Sequence, residues 1–106
     1  MTRKGMKRDK ADREWSKAVR ERDDYTCVRC ETPYPTNSRG LHAAHIMGRG
    51  KLATRHDLIN GVALCFGCHR WLDTHPDLKA EFFRAYLGDD VYDDLLLRSN
   101  RTKASA

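Results

Sequence analysis

The sequence predicts a small α+β domain, in which a short β-hairpin and the helix after it form a core flanked by one N-terminal helix and two C-terminal helices. Three observations carry that expectation. Two C-x-x-C pairs, Cys27-Val-Arg-Cys30 and Cys65-Phe-Gly-Cys68, enclose a stretch of 34 residues. Inside it, two runs of strand length lie on either side of Asn60-Gly61, a strong turn pair. Outside it, apolar residues recur at helical spacing between breaks at Pro76 and Gly88.

The 106 residues read as a basic arm at 1–10, one domain at 11–100 with its core at 24–76, and a tail at 101–106. A hydrophobic fraction of 40% suffices for a small core but is thin for one that must hold itself together. Charge is uneven. Residues 1–22 carry nine Lys or Arg against four acids (+5), residues 23–75 six against five (+1), residues 76–100 three against six (−3), and the last six add two bases (+2), giving +5 in all. A basic arm beside a mildly basic core favours a phosphate-bearing partner, since each neutralised phosphate releases counterions. No apolar run approaches the ~20 residues that span a bilayer, and the N-terminus is too polar for a secretory signal. The expectation is a cytoplasmic protein with reduced thiols, no membrane partner, and a monomeric or weakly dimeric state.

Taken in order, Met1–Lys10 is polar and basic and is expected to be disordered. From Ala11 to Asp23, Trp15, Ala18 and Val19 recur at i, i+3 and i+4, which predicts an amphipathic helix with Lys17, Arg20 and Arg22 on its outer surface and Trp15 as a core anchor. Tyr25 and Val28 cover the first cysteine pair. Glu31–Gly40, with Pro33, Pro35 and Asn37, reads as a turn-rich loop. Leu41–Met47 predicts the first strand, with His42 and Ala44 on one face and His45 on the other. Gly48-Arg49-Gly50 ends it, a loop carries Arg49, Lys51 and Arg55, and Val62–Leu64 returns. A helix is expected to begin at His69, with Trp71 and Leu72 inward and Asp73 one turn on, and to end at His75-Pro76. Leu78–Leu87 follows, anchored by Phe82, Phe83 and Tyr86 and stopped by Gly88, and Asp89–Arg98 is the last helix, with Asp93 and Asp94 outward. There is no internal repeat.

The cysteine spacing matches a four-thiolate zinc site, in which Cys27, Cys30, Cys65 and Cys68 close a tetrahedron around one structural ion. Two disulfides or a redox dithiol would need an oxidising compartment or a strand-helix frame, and the sequence offers neither. A closed thiolate site adds folding free energy directly, which a short chain with a thin core needs.

Within the same stretch the order His42, His45, Asn60, His69 holds most of the proton-transfer chemistry of the chain, while His56 and His75 read as plain loop residues. Here the chain resembles the HNH endonucleases, in the zinc-stabilised branch whose C-x-x-C pairs bracket the catalytic residues, and among those the small proteins common in bacteriophage genomes. The resemblance covers residues 15–76: Trp15, Arg20–Cys30, His42–Gly50, Asn60–Leu64 and Cys65–Trp71.

The resemblance implies a ββα-metal core and a metal-dependent hydrolysis of DNA phosphodiester bonds, by nicking or double-strand cleavage, in phage DNA processing, recombination or packaging, with DNA and a phage protein as partners. It implies that His45 is the general base, that His69 is a ligand of one catalytic divalent ion (Mg²⁺, Mn²⁺, Ni²⁺ or Zn²⁺), and that Asn60 fixes the geometry around the base, by hydrogen bonding backbone at His45 or by touching the metal. Many family members place Asp or His just before the base as a ligand, and here that position is Ala44. His42, two residues earlier, and Asp73, at i+4 from His69, are the candidates to replace it. Arg49, Lys51 and Arg55 are the candidates for holding substrate phosphates. His69, directly after Cys68, is also a candidate zinc ligand in a Cys3His site. The reading of a different class is a non-catalytic zinc-ribbon module that binds nucleic acid or protein.

Overall fold

A computed structural model describes residues 9–101; of the arm expected to be disordered at 1–10, positions 1–8 fall outside these residues, while Asp9 and Lys10 instead cap and begin a helix, and of the tail at 101–106 only Arg101 is described. The chain runs α1 (Lys10–Arg22), β1 (Leu41–His45), a 3-10 turn (Leu58–Asn60), β2 (Gly61–Cys65), α2 (Phe66–Asp73), α3 (Pro76–Leu87) and α4 (Asp89–Asn100). It is the mixed α+β fold of the sequence reading: four helices and one two-stranded antiparallel sheet.

Helix α1 starts at a capping box. The Asp9 side chain accepts from the Asp12 N–H while the Asp12 carboxylate accepts from the Asp9 N–H, so two otherwise orphaned donors are satisfied. Trp15 and Val19 are buried against the sheet, and the Trp15 indole N–H donates to the Asp57 carbonyl at 2.9 Å. Arg22, expected only to face solvent, instead spans to the hairpin and donates to the Leu58 and Gly61 carbonyls at 2.6 Å each.

The strands pair with Leu41 opposite Cys65, His42 opposite Leu64 and His45 opposite Gly61. Gly61 is required by packing. A Cβ there would fall onto the Trp15 ring and 2.8 Å from Val19 Cγ2. Strand β1 ends at His45, two residues short of the expected Met47, because Asn60 captures the backbone beyond it.

Helix α2 begins at Phe66, three residues before the expected His69, because the Cys65 sulfur caps it by accepting from the Cys68 N–H at 3.4 Å. His69 therefore sits inside the helix. It stops at Asp73, and α3 starts on Pro76, whose fixed φ suits a first helical position, two residues before the expected Leu78. Gly88, at φ +90°, makes the turn into α4. Phe83, Tyr92, Leu95 and Leu72 join the sheet residues Val62, Ala63 and Leu64 in one core. The C-terminal end of α4 is tied to the loop before β2, through Ser99 to Thr54 (2.7 Å) and Arg98 to Asp57 (2.8 Å). Among the described residues, no helix is long and apolar enough to cross a membrane.

Candidate metal centre and histidine groove

The four cysteines converge. Cys27 and Cys30 lie between α1 and β1, Cys65 ends β2 and Cys68 lies in the first turn of α2, and their sulfurs all fall within 4.8 Å of one another. Four sulfurs about 2.3 Å from one zinc ion stand about 3.8 Å apart. Cys30 and Cys65 are at 3.8 Å, too far for a disulfide and right for two ligands of one ion. Backbone N–H groups of Cys30 and Cys68 point at the sulfurs of Cys27 and Cys65, and Glu31 adopts a left-handed φ of 63° to close the first knuckle. The Thr32 hydroxyl and backbone beside Cys30 lower its pKa to about 6, and burial pushes the Cys68 thiol up to about 12. A buried thiolate needs a nearby cation. Arg29, stacked over Trp71 at 4.2 Å, supplies part of that charge by donating to the Cys68 sulfur at 3.4 Å. The donor set fits a structural zinc ion held by four thiolates, with His69 turned to a different group.

That group is His42. Strand β1 presents His42 and helix α2 presents His69 so that their Nδ1 atoms lie 2.9 Å apart. At that separation one ring donates a hydrogen bond to the other, so a single proton joins the two nitrogens; on one tetrahedral ion two such nitrogens would stand about 3.4 Å apart. The His69 Nε2 lies 3.5 Å from an Asp73 carboxylate oxygen. An acceptor there favours the proton on Nε2 and leaves the Nδ1 lone pair facing His42, the arrangement by which a carboxylate orients a metal-binding histidine. Asp73, weighed above as a direct ligand, thus lies on the far side of the ring from the point where the two Nδ1 atoms meet. It also pairs with Lys79 at 2.8 Å. Burial, the largest cause, lowers the His69 pKa.

His45 is held apart from this pair. It lies three residues further along β1, roughly 10 Å at strand rise, and on the opposite face. Its ring stacks on Trp15 with centroids 4.0 Å apart and planes 10° apart, and its Nε2 is 2.9 Å from the Arg55 carbonyl. A carbonyl only accepts, so Nε2 carries the proton and Nδ1 keeps a free lone pair. Burial lowers the His45 pKa, which keeps the ring neutral at neutral pH. Trp15 is therefore a core anchor and also the platform beneath this ring.

Asn60 is fully buried. Its Oδ1 accepts from the Met47 N–H at 2.6 Å, and its Nδ2 donates to the carbonyls of Met47 (3.2 Å) and Thr54 (3.0 Å). Of the two roles weighed above, these contacts are those of a backbone clamp on the loop that follows His45.

Two of the three cations assigned to phosphate have another task. Asp12, buried on α1, accepts from Arg55 through both Nε (2.9 Å) and Nη2, from Arg49 at 3.1 Å and from His56 at 2.8 Å. The Arg55 guanidinium, chiefly, holds the Asp12 carboxyl far below the usual carboxylate range. Asp9, Asp12 and His56 are close enough to share a cation, but the two arginines already neutralise Asp12. Lys51 donates to Asn100 at 3.0 Å. Arg49 and Arg55, expected to hold substrate phosphates, are thus paired with Asp12, and His56, expected to be a plain loop residue, has the same partner. The sequence reading missed Asp12. Its spacing four residues from Ser16 and three from Trp15 marks the inward face of α1, and a carboxylate on that face requires cations, which Arg49 and Arg55 provide.

A groove of about 420 Å³ opens beside the His42–His69 pair along β1, which among the described residues pairs with no strand other than β2. Arg20, Ser16, Asn37, Ser38 and Arg39 form its walls. Comparison of the chain with family models, with curated proteins and with solved structures finds no match in any of the three.

Proposed function

We propose that the chain is a metal-dependent endonuclease of the HNH kind that hydrolyses phosphodiester bonds in DNA. The observation that carries this reading is the His42–His69 pair, two ring nitrogens 2.9 Å apart that the hairpin and the following helix aim at one point. His42 takes the ligand place that Ala44 leaves empty. His42 and His69 would hold a divalent ion, for which two imidazoles suit Ni²⁺ or Zn²⁺ better than Mg²⁺ or Mn²⁺, and that ion would stabilise the negative charge that develops on the phosphoryl and leaving oxygens.

The chain's own residues supply the proton chemistry and the positioning. His45, neutral and protonated at Nε2, offers Nδ1 as acceptor for the proton of an attacking water. Trp15 beneath the ring and the Arg55 carbonyl at its far nitrogen fix its direction, and Asn60 fixes the backbone that leads away from it. One observation favours the zinc-ribbon binding module instead: the His45 ring lies across the strand from the His42–His69 pair.

Plasmid cleavage by zinc-loaded protein in Mg²⁺, Mn²⁺, Ni²⁺ or EDTA, with His45→Ala and His42→Ala alongside, separates the two. The endonuclease reading expects metal-dependent nicking or linearisation that falls at least about 100-fold in His45→Ala, the usual worth of a general base. DNA binding without cleavage in any metal, by folded protein holding one zinc per chain, returns the binding module.

A further inference from the structure

With Arg49 and Arg55 paired to Asp12, the groove beside the histidine pair is a place where basic groups face a cavity. Its walls come from four segments: Ser16 and Arg20 of α1, Asn37 to Arg39 of the loop before β1, Leu41 to Ala43 of β1, and His69 of α2. Every ionisable residue lining it, Arg20, Arg39, His42 and His69, is a base, and no carboxylate lines it. Among the described residues Arg39 enters no ion pair, and Arg20 spends only its Nε on the Ser16 carbonyl of its own helix. Asn37 and Ser38 add neutral donors. Leu41 to Ala43 bring extended strand backbone into the lining.

We propose that this groove binds the sugar-phosphate backbone of one nucleic acid strand, with Arg20 and Arg39 as the phosphate-binding residues. The inference rests on the endonuclease reading only for the chemistry done there. Binding at the groove requires neither a catalytic ion nor cleavage. Arginine suits the task because its planar donors match phosphate oxygens in pairs, and because two cations facing one groove, whose nearest acid, Asp73, is engaged by His69 and Lys79, gain by neutralising a polyanion. The contacts read shape and charge, so the groove favours no base sequence.

The test is equilibrium binding of a short fluorescein-labelled DNA duplex to zinc-loaded protein in EDTA, across a salt series, for wild type, Arg20→Gln, Arg39→Gln and the double variant. Arg84→Gln removes the same charge from the α3–α4 face and serves as control. Each lost phosphate contact lowers the slope of log affinity against log salt by about 0.9, so the double variant loses close to two while Arg84→Gln keeps the wild-type slope. A double variant with the slope of Arg84→Gln overturns the proposal. Zinc content and melting temperature report whether each variant folds. Should the variants fail to fold, titration of wild type with inorganic phosphate, followed by amide NMR, decides: shifts at residues 37–43 and around Arg20 support the groove, and shifts elsewhere overturn it. Wild type that binds through the groove but cuts in no metal sinks the endonuclease reading and leaves the groove standing. Cleavage by wild type, with groove variants that bind like the control, does the reverse.

Discussion

Asn60 offers the sharpest check on how the loop after His45 is held. The side chain is fully buried, accepts once and donates twice, all to backbone of the loop at residues 47–54. Asn60→Asp changes almost no volume. It keeps an oxygen for the Met47 N–H but turns the amide that faces the Met47 and Thr54 carbonyls into a second oxygen. Ionised, that oxygen is a buried charge facing two carbonyls. Protonated, its single O–H satisfies one of them. The folded-state pKa therefore rises well above the ~3.9 of an unfolded aspartate, and documented buried acids reach ~8–9. A folded pKa above the unfolded value means the native state binds more protons. Stability conferred by the protonated form is then full below the unfolded pKa and is lost as pH rises through the folded one. The loss runs at about 1.4 kcal/mol per pH unit. Relative to wild type at each pH, Asn60→Asp should be about 2–3 kcal/mol less stable at pH 8 than at pH 6, a large share of the ~5–15 kcal/mol of a small domain. Urea unfolding of zinc-loaded wild type and variant at the two pH values measures the difference. An aspartate variant as stable as wild type at both would show that the amide donors do not hold this loop.

Asp12→Asn should lower the melting temperature and flatten the acid limb of stability. With its folded pKa depressed chiefly by Arg55, Asp12 contributes fully above the ordinary carboxylate value of 3.8 and loses that contribution as pH falls below it, so wild type and variant should converge in acid. Gly61→Ala should cost about 1–3 kcal/mol in thermal unfolding, because the added methyl meets Trp15 and Val19, and an unchanged melting temperature would contradict the tight seating of α1 on the hairpin. Stripping the structural ion with a strong chelator, or Cys68→Ser, should abolish cooperative unfolding, since structural zinc binds with roughly 10–16 kcal/mol against the ~5–15 kcal/mol of net stability. A metal analysis other than one zinc per chain, or a chelated protein that still melts cooperatively, would count against the four-thiolate site.

The local devices of this fold were readable in order along the chain, because each depends on neighbours in sequence. The C-x-x-C pairs announce two knuckles, Pro76 and Gly88 the helix boundaries, and the spacing of Trp15 and Val19 the face of α1 that packs inward, whereas Asn60-Gly61 is not the hairpin turn it suggests: Asn60 closes a 3-10 turn, Gly61 is extended in β2 opposite His45, and the loop from Ile46 to Asn60 joins the strands. Even so, the start of α2 was misplaced, since its cap is the sulfur of Cys65, whose expected role was confined to metal binding. What each charged or polar side chain faces was not readable, because it depends on residues about 40 positions away. Arg49 and Arg55 resemble a phosphate clamp in a list of residues, yet a buried carboxylate on α1 takes both, as leaving it unpaired away from water would cost more than a surface arginine gains from solvent. Pairing of β1 with β2, and of α2 against them, sets His42 beside His69 and turns Asp73 to the outer nitrogen of that ring. Composition and spacing thus determined which cysteines and histidines this protein has and in what order. Only the packing of α1, the hairpin and α2 decided which of them meet, because a side chain's partner is chosen by the burial of its whole surroundings.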